Sequence, residues 1–477
     1  MSDMAQKVTS PTTIVIFGVT GDLAQRKLLP ALLDLFVRGL LPATFQVVGF
    51  SRREWTDEQF RIFTRTVLKK RGHRHRKLVV EKFLKCLQFQ NGHFDQPQSY
   101  LQLGQRLMAL DEKFKTCSNK LYYLAVPPTY YETIFYNLAH SGLSIPCLGE
   151  NEGWTRILVE KPFGRDLQTA QALDQLLGKL FGEDQIFRID HYLAKEAIQN
   201  ILTFRFSNTV FEPIWSNQYI EKVEIKSFET QGVGTRGAFY DDIGALRDVG
   251  QNHLLQMLAA IVMEDPGVIT APAIRQARTA VLEALVPITK KNIATNTLRG
   301  QYQGYGKEKE VGADSKTETY FQLKTAVNNN RWQGVPFYLE GGKRMKQNLT
   351  SIAIYFKEPA SCFCPPGSKA HPRNILTFRI QPDEGISVRF WAKKQGFTLE
   401  LEPKELSFHY QDDTNGEIPD AYEQVVFDCI RGDQIRFIST EEVTASWRFI
   451  TPILEKWQST PLLTYAKGSS GPKKKLN

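Results

Sequence analysis

A short β-branched apolar run, TIVIF (Thr13–Phe17), opens into a glycine-containing turn and then a leucine-rich stretch, GVTGDLAQRKLLPALLDLFVRGLL. No other feature narrows the possible folds as much. TIVIF has the residue types of a buried strand, and Leu28, Leu32, Leu33, Leu35 and Phe36 suit the apolar side of an amphipathic helix. FQVVGF (Phe45–Phe50), LYYLAV (Leu121–Val126) and RILVE (Arg156–Glu160) read as further strands with helical stretches between them. Strands that alternate with helices predict a parallel sheet covered on both faces, an α/β architecture.

The pattern changes after about residue 200. VEIKSFE, IAIYF, ILTFRI, ISVRFW, FTLEL and LSFHY alternate apolar and polar residues, with few helices between. That predicts a mainly antiparallel sheet. Helices are expected over Leu246–Val262 and Ala421–Arg431, covering one face of it, so this part is α+β. The chain has 477 residues, and single cores stop growing at about 250–300 residues. Two domains are therefore expected, residues 1–189 and 190–477. Pro359–Pro372 is expected to be a loop of the second.

Hydrophobic residues make up 42% and charged residues 23%, which is ordinary for a globular protein. No run reaches the roughly 18 apolar residues of a membrane span, and MSDMAQKVTSPTT has neither an apolar core nor an Arg-rich run. A cytoplasmic protein without a membrane partner is expected. Six scattered cysteines are too few for a disulfide scaffold and suit reduced thiols. Cys362 and Cys364 form a lone C-x-C that reads as loop or buried thiols, with no metal site. The net charge is +9, from 60 Lys+Arg against 51 Asp+Glu, with basic patches at Lys69–Lys77 and in KGSSGPKKKLN. Neither patch is interleaved with stacking aromatics, so no nucleic-acid partner is expected. The positive balance helps draw in an anionic substrate.

Two segments carry candidate chemistry. In Gly18-Val19-Thr20-Gly21-Asp22-Leu23 the glycines permit a tight turn and close approach to a pyrophosphate, which the N–H groups of the following helix would bind. The spacing lacks a third glycine, and a turn without a ligand is the plain alternative. Where an NAD site places an acid, after the second strand, this chain has Ser51-Arg52-Arg53. A guanidinium suits a 2′-phosphate, so NADP is expected, read mainly by Arg52. The second segment is RIDHYLAKE, Arg188–Glu196, in which His191, Tyr192 and Lys195 offer three donors to a phosphate. RDVGQNH, Arg247–His253, adds an Asp and a His at the start of an apolar helix. An Asp and a His from separate segments can form a base and its orienting carboxylate; a structural histidine is the alternative.

GVTGDLAQRKLLPAL, LAVPP, EKPFG (Glu160–Gly164), RIDHYLAKE, RDVGQNHLLQM, TET (Thr317–Thr319), RWQGVPF (Arg331–Phe337) and DAYE…IRGD (Asp420–Asp433) occur in this order. Together they closely resemble glucose-6-phosphate dehydrogenase over nearly the whole chain. The resemblance implies an N-terminal Rossmann-type domain and a larger C-terminal β+α domain. It implies oxidation of β-D-glucose 6-phosphate at C1 to 6-phospho-D-glucono-1,5-lactone with hydride transfer to NADP, the first step of the oxidative pentose phosphate pathway. The catalytic base matches His253 and its orienting carboxylate Asp190. Substrate-phosphate ligands match His191, Tyr192 and Lys195. Other substrate positions match Lys161, Glu229, Asp248 and Lys343. Coenzyme positions match Gly18, Thr20, Gly21, Asp22, Leu23, Arg52 and Lys161. A homodimer or homotetramer is implied as well.

The chain departs from the family pattern at Ala194, where glycine is usual, at Glu340, where arginine is usual, and around Asn348. These changes are expected to weaken anion binding and spare the acid–base step. They leave room for a catalytically weak paralogue that binds NADP or sugar phosphate in a regulatory or assembly role.

Overall fold

The computed structural model describes residues 10–71, 75–147, 153–361, 373–413 and 419–476. Cys362, Cys364, part of the basic patch at Lys69–Lys77 and most of Pro359–Pro372 lie outside them. The described residues form two compact units. One comprises Met1–Gly164, Gln168–Ala194 and Pro419–Thr440; the other comprises Arg165–Leu167, Lys195–Ile418 and Glu441–Asn477. Sixteen strands, numbered here in chain order, make two sheets.

The first unit holds β1 (Thr12–Phe17), β2 (Phe45–Ser51), β3 (Leu87–Asn91), β4 (Asn119–Leu124), β5 (Thr155–Val159) and β6 (Ile186–Ile189), with the two-residue β15 (Phe437–Ile438) at one edge. Their order is β15-β6-β5-β4-β1-β2-β3. All neighbours are parallel except β15, which runs antiparallel to β6. β1 and β4 are buried along their full length, and their Ile14–Phe17 and Leu121–Leu124 stretches read as continuous apolar runs for that reason. The chain order reverses between β1 and β4, and in such sheets that reversal marks the ligand crevice.

The helix Ala421–Arg431 was expected on the second sheet. It belongs to the first unit, where Tyr422, Val425, Val426, Cys429 and Ile430 join the core around β1 and β2. Amphipathic periodicity shows that a helix buries one face, but it does not say against what. The Cys117 and Cys147 side chains are brought together, with Cα atoms 6.4 Å apart, a pairing that the sequence did not reveal; Cys86 and Cys429 are free.

The second unit holds a nine-stranded sheet of β7 (Ile220–Phe228), β8 (Thr297–Tyr302), β9 (Tyr320–Thr325), β10 (Phe337–Gly342), β11 (Leu349–Phe356), β12 (Ile375–Gln381), β13 (Gly385–Lys393), β14 (Leu401–His409) and β16 (Leu462–Tyr465). The order is β14-β13-β12-β11-β7-β10-β9-β8-β16. Neighbours are antiparallel except β7–β10 and β8–β16. FTLEL, expected as a strand, contributes only Leu401; the paired segment runs on from there through LSFHY to His409.

Two buried indoles fasten the apolar helix Leu255–Val262 in this unit. Trp215 donates to the Ile261 carbonyl at 2.8 Å and Trp332 to the Val262 carbonyl at 2.9 Å. The last carbonyls of a helix have no partner within it, so these donors fix where it stops. Arg331, beside Trp332, holds the Trp215 carbonyl and the carboxylates of Glu212 and Glu264. RWQGVPF is thus a clamp on that helix. No helix among the described residues is long and apolar enough to cross a membrane.

Candidate active site

In the first unit the turn after β1 forms one wall of a crevice of about 340 Å³. Gly18, Thr20, Gly21 and Arg52 line it, together with Ser51, His93, Phe94, Asp95, Val126 and Tyr130. Gly18 has φ +76°, and a Cβ there would lie 2.5 Å from the Ala125 carbonyl oxygen. Only glycine can bring the β1 end this close to the β4 end. The Gly21 amide closes the turn on the Gly18 carbonyl at 2.8 Å. Asp22 is exposed and pairs with Arg26 at 3.3 Å, outside the lining, as is Leu23.

The two arginines after β2 separate. The Arg53 guanidinium lies over the Trp55 ring, 4.9 Å from its centroid, a cation–π contact. Arg52 is the one that borders the crevice. The room, the glycine-lined wall and the guanidinium suit a dinucleotide that carries an extra phosphate. His93, Asp95 and Tyr130 were not singled out in the sequence; His93 and Asp95 follow Gly92 beyond β3, and Tyr130 ends the short 3-10 helix Pro128–Tyr130.

At the end of β6, Asp190 is buried at 1% exposure and its Oδ1 accepts the Tyr192 amide at 2.9 Å. The next residues form a tight turn, His191–Ala194. Its Ala194 is not among the four non-glycine residues with positive φ and packs into the apolar core. The usual glycine angle is therefore not needed here, and the Cβ is accommodated. His191 stacks on Tyr422 with ring centroids 5.9 Å apart and stands beside Tyr192 at 5.0 Å. Glu160, next to Lys161, is buried, and its carboxyl accepts from the Tyr123 hydroxyl at 2.6 Å. Burial pushes the Glu160 carboxyl up to about 7, against the pull of the Tyr123 hydroxyl and of Lys161.

In the second unit, Lys195 stands just ahead of the helix Glu196–Phe206 and donates to Gln381 at the end of β12, at 2.6 Å. Glu229 follows β7, and its carboxylate accepts from Lys343, which follows β10. Asp248 lies 3.7 Å from the same ammonium. The Tyr240 ring lies 4.9 Å from it. Lys343, only 5% exposed, is thus held between two carboxylates and an aromatic face.

Leu246–Leu254 is wound as a π-helix before the α-helix resumes at Leu255. Its i→i+5 bonding stacks residues five apart, and such segments recur at functional sites. Asp248 and His253 are five apart, so this winding sets them one turn from each other. His253 is buried at 3% exposure, and its amide donates to the Asn252 side chain at 2.6 Å.

Two departures from the expected motif have partners. Glu340 is buried and pairs with Lys475 at 2.5 Å and with the Tyr320 hydroxyl. Asn348 accepts from the Thr230 amide at 2.8 Å. Neither changes the groups around Lys343.

The profile "Glucose-6-phosphate dehydrogenase, NAD binding domain" matches residues 15–200, and "Glucose-6-phosphate dehydrogenase, C-terminal domain" matches 202–477. A glucose-6-phosphate 1-dehydrogenase of Aggregatibacter actinomycetemcomitans is 42% identical over 471 residues, covering 96% of this chain and 94% of its own. That of Chlamydia pneumoniae is 40% identical over 480 residues, covering 97% and 93%. A solved glucose-6-phosphate dehydrogenase, in complex with its substrate glucose-6-phosphate, superposes with a TM-score of 0.89 at 34% identity, covering 98% of this chain and 97% of its own.

Proposed function

This chain belongs to the glucose-6-phosphate dehydrogenase family, and we propose which of its residues carry that activity. The enzyme oxidises glucose 6-phosphate at C1 to the phosphogluconolactone and reduces NADP. No relative supports the reading as a catalytically weak paralogue.

His253 is the base that takes the C1 hydroxyl proton as the hydride leaves C1. An alcohol with a pKa of about 15–16 needs such a base at neutral pH, and a positioned one contributes about 10²–10⁴-fold. Asp190 is the carboxylate that orients it. Lys195, His191 and Tyr192 bind the sugar phosphate. Lys343, Glu229, Asp248 and Lys161 bind the sugar. Gly18, Thr20, Gly21, Asp22, Leu23, Arg52 and Lys161 are the coenzyme positions, with Arg52 at the 2′-phosphate of NADP. Bound there, NADP supplies the nicotinamide carbon that accepts the hydride. The observation that carries the reading is the Lys343 cluster: an almost fully buried ammonium fixed by Glu229 and Asp248, beside the π-wound segment that bears His253.

The proposed state is a homodimer or homotetramer in the cytoplasm, which light scattering and cell fractionation test. For the activity, absorbance at the NADPH band is followed with glucose 6-phosphate and NADP, then with NAD. Turnover with NADP is expected; silence with both coenzymes overturns the assignment.

A further inference from the structure

Lys343 sits in a turn with an uncommon backbone. Arg344, the next residue, has φ +54°. A non-glycine residue in the left-handed region persists only where its surroundings fix it, and such residues gather at ligand clamps. Two segments more than a hundred residues away in sequence fix this one: after β7, the Gln231 carbonyl accepts the Arg344 amide at 3.1 Å and the Glu229 carbonyl accepts the Met345 amide at 2.9 Å, and from the other side comes the chain that follows β16. The Tyr465 hydroxyl, at the end of β16, donates to the Lys343 carbonyl at 2.7 Å. The Gly468 amide donates to the Arg344 carbonyl at 2.7 Å, and the Lys346 amide donates to the Ser469 carbonyl at 2.9 Å. The strap then crosses the sheet. Gly471 packs on the Tyr320 ring so closely that a Cβ would lie 2.7 Å from it. Lys475 reaches the buried Glu340 carboxylate and the Tyr320 hydroxyl at 2.6 Å. The Leu476 amide donates to the Gln322 side chain at 2.9 Å.

Glu340 and Lys343 are three residues apart at the end of β10 and the turn after it. The strap therefore grips both sides of the segment that presents Lys343. A charge-assisted pair on a buried carboxylate anchors its far end. Hydrogen bonds to the Lys343 and Arg344 carbonyls anchor the near end.

We propose that the strap Tyr465–Leu476 is a positioning element for the substrate: it locks the Lys343–Lys346 turn so that the Lys343 ammonium is preorganised for glucose 6-phosphate. Tyr465 and Lys475 are its positioning residues. They act through the turn and not by touching the sugar. The inference rests on the reading that Lys343 binds substrate.

The test is steady-state kinetics of full-length Tyr465→Phe, Lys475→Met, Lys475→Arg and Lys343→Met, each first shown to be folded by urea titration. Loss of one such anchor is expected to raise KM for glucose 6-phosphate roughly three- to tenfold. KM for NADP and kcat should stay within about twofold of wild type. Lys475→Arg keeps the pair with Glu340 and should retain the wild-type KM. Adding Tyr465→Phe to Lys343→Met should raise KM no further, because the strap acts through Lys343. If Lys343→Met leaves KM for the sugar unchanged, the substrate reading of Lys343 has failed. If Lys343→Met raises it but folded Tyr465→Phe and Lys475→Met do not, the strap proposal alone is overturned. A parallel rise in both KM values also overturns it, since general loosening would do that. Should Tyr465→Phe not fold, Lys475→Met decides the question by the same readout.

Discussion

Glu318 accepts the Leu246 backbone N–H at 3.0 Å, at the residue where the π-wound segment begins. Its own carbonyl accepts the Ala245 amide at 2.9 Å. Gly244, with φ +75°, leaves room for this carboxylate; a Cβ there would lie 2.4 Å from Oε1. Glu318 therefore caps the segment that carries Asp248 and His253. Glu318→Ala leaves a buried donor without its partner, which costs about 1–3 kcal/mol. The expected outcome is that loss of stability in urea titration together with a lower kcat. Glu318→Gln keeps an acceptor oxygen and should restore most of both. Equal kcat in the Ala variant and wild type would remove the cap from the catalytic account.

Arg52 and Arg53 make a discriminating pair because they are neighbours with different surroundings. Arg53 lies over Trp55, and Arg52 borders the crevice. Loss of a charged hydrogen-bonding partner costs about 1.5–3 kcal/mol, or roughly 10- to 100-fold. Arg52→Ala should raise KM for NADP by that factor and leave KM for NAD within a few-fold. Arg53→Ala should change neither by more than a few-fold. Equal loss in both variants would mean that the two share a general field effect.

These cases also show what the sequence could reveal. The turn after β1 was legible because an uninterrupted apolar strand ran straight into glycines and then into a leucine-rich helical stretch. The antiparallel character of the second sheet was legible from alternation in β7 and β12. The home of Ala421–Arg431 was not, because a helical stripe does not name its partner. β15 is two residues long and has no period to read. The Gln381 partner of Lys195 lies 186 residues away, and the Lys475 partner of Glu340 lies 135 away. Such pairs leave no local trace. The π-winding of Leu246–Leu254 was missed for a different reason: RDVGQNHLLQM is equally compatible with an ordinary helix, and one added residue per turn changes no periodicity that a short window resolves.

His253→Asn tests the base. Asparagine keeps a polar side chain at a buried position but does not take up a proton near neutral pH. We expect kcat to fall by about 10²–10⁴, while glucose 6-phosphate still protects the variant against thermal unfolding at wild-type concentrations. Turnover within tenfold of wild type would dismiss His253 as the base.

Glu160 gives a pH prediction whose sign is fixed by burial. Its carboxyl, enclosed beside Tyr123 and Lys161, is pushed up from 4.5 to about 7. The folded chain therefore holds this proton more tightly than the unfolded chain. Stability from the protonated form is fully present below pH 4.5, declines as the pH rises towards about 7, and is flat above that. The full change is on the order of 3 kcal/mol. Glu160→Gln fixes the neutral form, keeps an acceptor for the Tyr123 hydroxyl and removes this titration. Urea titrations from pH 5 to 8 should show wild-type stability falling relative to the Gln variant as the pH rises, with the difference levelling above about 7. A difference that is constant across the range would mean that Glu160 titrates alike in the folded and unfolded chains.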